Sequence, residues 1–463
     1  MPLLHKVTRF ISRHSISTRN ERIPKYISYI EALFSPRFGC RLLSNSAHKP
    51  VCSDDSSPVK RSIIPSKYRI LQHNKLPEKI LRRYSSTTES SSNSDVESKI
   101  ETLLETWFYE VSSRGSMSAH LPFTTIIKPL PPQDYPDMNK VIIELHYEQD
   151  GQDIPNAYQL SQISDIYDLK VSFDQDKANM NLNCNLPSRV SLPVVCHIQI
   201  PLQFELNVHL MGGSHVTVES LESPTINVET HAGNCNFKSI KSSSVTAIST
   251  SGNITSRSSM LGNVSFHTGQ NGSITATKLQ GTSLDFETES GNINIKAFYC
   301  GEASFKSISG DIHLGNCHGN ISLVSENSVV KVGSLEGDLD VSLESGQVDT
   351  HLSKHKKAVI RLEDDGDVTL SFPEGLDTSL DLDCNDVIVD KNVKVKLSDS
   401  ELKHEDRQIN RAIPVSKRLS KGFIGKEGGA VTLVKTKGNV HLKQLDWIET
   451  TKLAMLMNRE DQK

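Results

Sequence analysis

The sequence predicts an all-β fold: a single-stranded parallel β-solenoid of the right-handed β-helix kind, with coils of about 19 residues, behind a basic, disordered N-terminal segment. Three observations predict it. A glycine-centred turn element recurs at a nearly fixed interval, apolar residues recur two positions after each turn marker, and charge is divided sharply between the first 86 residues and the rest. Right-handedness is the default for parallel crossover connections.

Residues 1–95 read as a mitochondrial targeting segment and linker. Leu3, Leu4, Val7, Phe10 and Ile11 fall on one side of a helix, with Lys6, Arg9 and Arg13 across from them. Residues 1–86 carry 17 Lys/Arg against 5 Asp/Glu, and the start is Arg-rich, Ser-containing and acid-poor. Mitochondrial import selects that composition, and Arg9, Arg13, Arg19 and Arg22 interrupt any secretory apolar core. Arginines upstream of Ser44 and Ser85 suggest two processing sites, and the matrix is the expected destination. The Ser/Thr-rich stretch Ser85 to Ser94 reads as a disordered linker.

Residues 96–230 form a mixed lead-in β region. Ile100, Leu103, Leu104, Trp107, Phe108 and Val111 suit a helical stripe, yet Trp107 to Val111 is equally rich in strand formers, so the segment stays ambiguous. Pro122, Pro129, Pro131, Pro132 and Pro136 argue against regular structure across much of 121–137. Residues 141–145, 169–173 and 199–210 contain strand-like runs.

The repeat proper occupies 231–398. Gly233, Gly252, Gly272, Gly291 and Gly310 are spaced by 19, 20, 19 and 19 residues, and Ser328, Gly346 and Gly366 continue the series. Gly262, Thr282, Gly301, Gly319 and Gly337 lie halfway between. Two residues after the first markers stand Cys235, Ile254, Ile274, Ile293, Ile312, Val330, Val348 and Val368. The second series gives Val264, Leu284, Ala303, Ile321 and Leu339, with Phe266, Phe286, Phe305, Leu323 and Val341 two positions on. Alternation with period 2 inside a 19-residue period describes short strands with one face in and one out, stacked about 4.8 Å apart. A hairpin meander could use the same Gly-Asn turns but has no reason to hold both intervals constant. Residues 399–428 read as a charged loop. Residues 429–463 read as final strands and a C-terminal cap built on Trp447, Ile448, Leu453 and Leu456.

The Gly-Asn/Asp-Ile/Val/Leu turn resembles that of the putative-adhesin family (domain of unknown function 4097). Trp107 and Val111, Leu121-Pro122, Lys128-Pro129-Leu130, Tyr135-Pro136-Asp137, Leu314-Gly315, His318-Gly319-Asn320-Ile321 and Lys437-Gly438 with Trp447 resemble its animal branch, over about 105–450. The resemblance implies a β-solenoid and, for animal members, a mitochondrial address. It implies no reaction.

Beyond residue 86 the chain has 34 basic and 50 acidic residues, which disfavours nucleic acid as a partner and favours protein partners. No apolar stretch reaches the roughly 18 residues of a membrane span. Candidate outward-face residues are Asp311, His313, Lys331 and Asp349, stacked in consecutive coils, with Gln347 and Asp367 flanking. As a catalytic group, Asp311 and Asp349 would stand roughly 10 Å apart, at the loose end for an inverting carboxylate pair. The plainer reading is a solvated face, and no enzyme activity is expected. His313, Cys317 and His318 have metal-ligating chemistry, but alternation sends the histidines in unrelated directions. Asp364, Asp365 and Asp367 read as an acidic turn. No metal or cofactor is expected. Asn253, Asn263, Asn271 and Asn320 head Asn-x-Ser/Thr sequons that turn composition explains. The expected function is a non-enzymatic, mitochondrially imported binding or scaffolding protein. The alternatives are a secreted adhesin-like protein and a carbohydrate-active β-helix enzyme.

Overall fold

The computed structural model describes residues 100–149, 166–174, 176, 178–185, 193–397, 415–416, 420–445 and 449. The targeting segment, the linker, most of the 399–428 loop and the residues Trp447, Ile448, Leu453 and Leu456 lie outside them.

Strands stack in parallel, coil upon coil, in the register the repeat predicts. Cys235 pairs with Ile254, Ile254 with Ile274, Ile274 with Ile293 and Ile293 with Ile312. Val264, Leu284, Ala303, Ile321 and Leu339 form the second ladder in the same way. All of these side chains are buried. Each coil has a third, shorter straight segment, whose inward residues Ile240, Met260, Leu279, Phe298 and Cys317 pair in turn and are also buried. The coil therefore has three faces. Ser220, Ser239 and Ser258, with φ of 56°, 54° and 69°, turn the chain between the first face and the third. Gly262, Gly319 and Gly337, with φ of 127°, 132° and 149°, turn it onto the second, where a Cβ would strain the backbone.

Phenylalanine fills the interior. Phe237, Phe266, Phe286 and Phe305 follow one another with ring centroids 5.5, 5.7 and 5.4 Å apart, all inaccessible to solvent. Burial of one such ring is worth about 1.5–3 kcal/mol, and ring pairing adds about 0.5–1.5 kcal/mol.

The Gly-Asn/Asp corner is chemically explicit. Asn234 Oδ1 accepts a bond from the Asn253 amide at 2.9 Å, Asn253 Oδ1 from Ser273 at 2.8 Å, and Asn292 Oδ1 from Asp311 at 3.0 Å. Each side chain thus holds the backbone of the next coil. A buried hydroxyl column runs beside the corner: Thr230, Ser249, Thr268, Thr288, Ser307 and Ser325. Thr230, Thr268 and Thr288 donate to the carbonyls of Gly233, Gly272 and Gly291, while Ser249 and Ser307 accept from the amides of Gly252 and Gly310. Polar backbone groups inside the corner thereby find side-chain partners.

Parallel pairing does not begin at residue 231. Glu222–Thr230 pairs with Cys235–Ser249, and Glu205–Leu210 pairs with Glu222–Thr230. Beyond them the order departs from the sequence. Ser116–Leu121 lies between Asn179–Asn185 and Glu205–Leu210, and Thr124–Pro129 lies between Val194–Ile200 and Val216–Glu219. An early coil is thus inserted between two later ones. The other end repeats the device: Ala430–Lys435 separates Lys357–Leu362 from Thr378–Asp383, and Asn439–Leu445 separates Val368–Pro373 from Asp386–Val389.

Several local expectations are corrected. The ambiguous Trp107 segment is extended, within Ile100–Glu110, paired antiparallel to Lys140–Gln149. Thr124–Pro129 is a strand despite the prolines, because Pro122 precedes it and Pro129 ends it. Residues 430–445 are not terminal in the stack. At that end antiparallel pairing is made by Ser420–Ile424, Val395–Leu397 and Val415–Ser416.

Two stability predictions follow from the corner and the core. A Cβ on Gly291 would lie 1.8 Å from the Gly272 carbonyl oxygen, so Gly291→Ala should lose more than about 2 kcal/mol in chemical denaturation. Gly213→Ala, with nothing within 4 Å of the added carbon, should stay within about 0.5 kcal/mol of the parent. His351 and His355 are buried, and burial lowers both imidazole pKa values from the ordinary 6.5. The unfolded chain therefore binds protons more readily there. Their contribution is complete above about pH 6.5, the unfolded value, and is lost as pH falls from there through the lowered folded value. Stability measured against pH should decline on that acid side, and His351→Leu should flatten the slope.

Candidate functional site

With the core and corners committed to holding coils together, the surfaces left for recognition are the outward faces. On the first face Asn236, Thr255, Thr275, Asn294 and His313 succeed one another, each half-exposed. The Val329 amide bonds Asp311 Oδ1 at 3.2 Å and Ser328 Oγ bonds the Gly310 carbonyl at 2.7 Å, which joins this coil to that of Lys331. Lys331, Asp349, Thr369 and His441 then continue as register partners. Lys331 and Asp349 are thus register partners on exposed positions, and His313 stands half-exposed on the neighbouring coil.

Asp311 does something else. Its carboxylate oxygen holds the Val329 amide, and its own amide is held by Asn292, so it belongs to the corner column with Asn234 and Asn253. Asp367 has the same task, accepting from the Asn439 amide at 2.9 Å. Asp364 pairs with Lys437 at 3.0 Å, both side chains exposed, so the acidic turn carries a surface ion pair. Gln347 pairs in register with Val329 beside the Asp349 column.

His313, Cys317 and His318 do not converge. His313 is on the first face, Cys317 points into the core under the third, and His318 lies on the third face against Tyr299 at 5.2 Å between centroids, with Glu336 at 3.3 Å. Six cysteines are unpaired and buried among the described residues. Burial pushes the Cys184 thiol up to about 12 and those of Cys235, Cys300 and Cys384 to about 11, so at neutral pH they are protonated and poor nucleophiles. No three His, Cys, Asp or Glu groups gather as a metal cage among the described residues.

The second face carries features that sequence reasoning missed. Ser118, Asn207, Asn227, Thr246 and Ser265 form a continuous outward column of small polar groups. Beside it Ser265 Oγ lies 2.6 Å from His267 Nε2, and His267 Nδ1 lies 3.7 Å from Glu287 Oε2 on the next coil. Hydrogen bonding to His267 lowers the Glu287 pKa. The order serine, histidine, carboxylate is that of an activated nucleophile, but these residues stand on strands paired on both sides, whose amides are engaged in the ladder. Such strands leave no backbone amide of their own free to receive an oxyanion. Only the interstrand register brings His267 and Glu287 together, so spacing along the chain gives no cue. On the third face a shallow depression is lined by Leu261, Gly262, Asn263, Gln280, Gly281, Thr282 and Tyr299, whose ring is 62% exposed.

No helix among the described residues is long and apolar enough to cross a membrane, which does not bear on strand-built membrane proteins. Solved structures similar to this chain include a putative adhesin from Parabacteroides distasonis, at 10% identity and TM-score 0.31, covering 74% of this chain and 98% of that one. A putative adhesin from Bacteroides fragilis has 10% identity and TM-score 0.23, with 76% and 98% covered. A putative cell adhesion protein from Clostridium sporogenes has 9% identity and TM-score 0.16, with 75% and 100% covered. The Toastrack DUF4097 family profile matches residues 167–297 and 258–443, more than half of the sequence. With its glycine-cornered parallel coils, the chain belongs to the Toastrack DUF4097 family.

Proposed function

We propose that this chain is a non-enzymatic binding or scaffolding protein that works inside mitochondria, in the matrix, on protein partners. The observation that carries the reading is the division of labour among its polar residues. Asn, Asp, Ser and Thr at the corners are spent on the stack, and what remains outside is a set of straight columns of small polar side chains. Such columns offer a rigid surface whose ordering cost is met on folding, which favours recognition of an extended partner. Asp311, the carboxylate a sugar-cleaving pair would need, is engaged at a corner, which weighs against the carbohydrate-active alternative. The acidic excess after residue 86 suits a basic or neutral protein partner. The blocks around Leu121-Pro122, Tyr135-Pro136-Asp137 and His318 to Ile321 support membership of the animal branch of the family. The mitochondrial part of the proposal rests on the amphipathic basic start.

Mass spectrometry of the endogenous protein tests the location. A mature N terminus near Ser44 or Ser85, with Asn253, Asn263, Asn271 and Asn320 unmodified, is the expected result. Glycans on Asn253 or Asn320 would require passage through the secretory pathway and would replace this reading with the adhesin-like alternative.

A further inference from the structure

Two imidazoles meet on the second face near the start of the stack. His120 belongs to the inserted strand Ser116–Leu121 and His209 to Glu205–Leu210, where they are register partners. Their Nδ1 atoms are 3.1 Å apart, and the rings are 4.6 Å apart between centroids, tilted by 49°. Two imidazole nitrogens at that distance cannot both present bare lone pairs. One must carry a proton, or a cation must stand between them.

We propose that His120 and His209 form a binding site for a divalent transition-metal ion of the zinc or cobalt type, ligated by the two Nδ1 atoms. Bonds of about 2.05 Å to nitrogens at the observed separation subtend an angle of about 100° at the metal. That lies between the octahedral and tetrahedral values, so the strand register already sets a usable bite. In the neutral pair one ring holds its proton on Nδ1 and the other on Nε2. Binding moves the first proton to Nε2 through solvent, so both Nδ1 atoms donate lone pairs with no net proton release. Glu229, the register partner of His209 on the following coil, is exposed in the same outward column. Water would take the remaining positions. The ion would tie an inserted strand to a strand 89 residues away at the point where chain order and stacking order part.

Zinc chloride titration of the full chain by calorimetry, with cobalt(II) absorption as a second readout, tests the site. Expected is binding that weakens roughly tenfold or more in His120→Ala and in His209→Ala, and that weakens on acidification as protons compete. Zinc should also raise the Tm of the parent and not that of either variant. Circular dichroism identifies any variant that fails to fold, and His209→Asn then serves in its place. The tilted pair His146 and His197, with ring centroids 4.5 Å apart and flanked by Glu101 and Glu144, is the internal control. No zinc binding, an isotherm unchanged by both single substitutions, or a loss confined to a His146→Ala/His197→Ala variant would overturn the proposal.

Discussion

Everything in this fold depends on how closely one corner can approach the next. Parallel strands in neighbouring coils must keep a spacing of about 4.8 Å through a sharp bend as well as along a straight run. At the Gly233, Gly252, Gly272, Gly291 and Gly310 corners, the carbonyl of one coil occupies the place where a Cβ of the next would be, at 1.7–2.6 Å. At these five positions only a residue without a side chain lets both coils keep their register. The constraint then propagates. Since the corner cannot contribute packing, its polar backbone groups need nearby partners, and the Asn/Asp side chains and the buried Ser/Thr column supply them. Where serine replaces glycine at position 328, its hydroxyl bonds both Ser325 Oγ and the Gly310 carbonyl, so the replacement becomes part of the same column.

The repeat was legible because this constraint acts on every coil at nearly the same interval. Cys235, Ile254, Ile274 and their successors could be placed on one ladder from spacing alone, and the outward position of His313, Lys331 and Asp349 followed by alternation. The third face was less visible because its straight run is two or three residues long, too short for alternation to register. Its inward residues Ile240, Met260, Leu279, Phe298 and Cys317 nevertheless recur at the same period. Asp311 shows the limit of a column argument. The residue next to an outward ladder can belong to a corner, and only the Val329 bond reveals which task it has.

Chain order misled more than residue pattern did. A periodic sequence gives no indication that an early coil, 116–129, will sit between two later ones, because its alternation of buried and exposed residues suits any coil in the stack. The same holds for 430–445. For this reason the chemistry most dependent on insertion, the His120 and His209 contact, is absent from any reading by spacing.

Insertion at both ends has a physical rationale. A solenoid ends in coils that expose unpaired strand edges, and a strand paired on one side only is the first to fray and the first to recruit another chain. Placing 116–129 and 430–445 one position inward gives those coils partners on both sides. The outermost strands, Asn179–Asn185 and Val194–Ile200 at one end and Thr378–Asp383 and Asp386–Val389 at the other, are then covered by antiparallel strands, Asp168–Phe173 and Lys140–Gln149 at the first and Ser420–Ile424 and Val415–Ser416 at the second. Antiparallel strands do not propagate the parallel ladder, so growth of the stack stops there. Holding together and stopping are thus assigned to different residues from those on the outward faces.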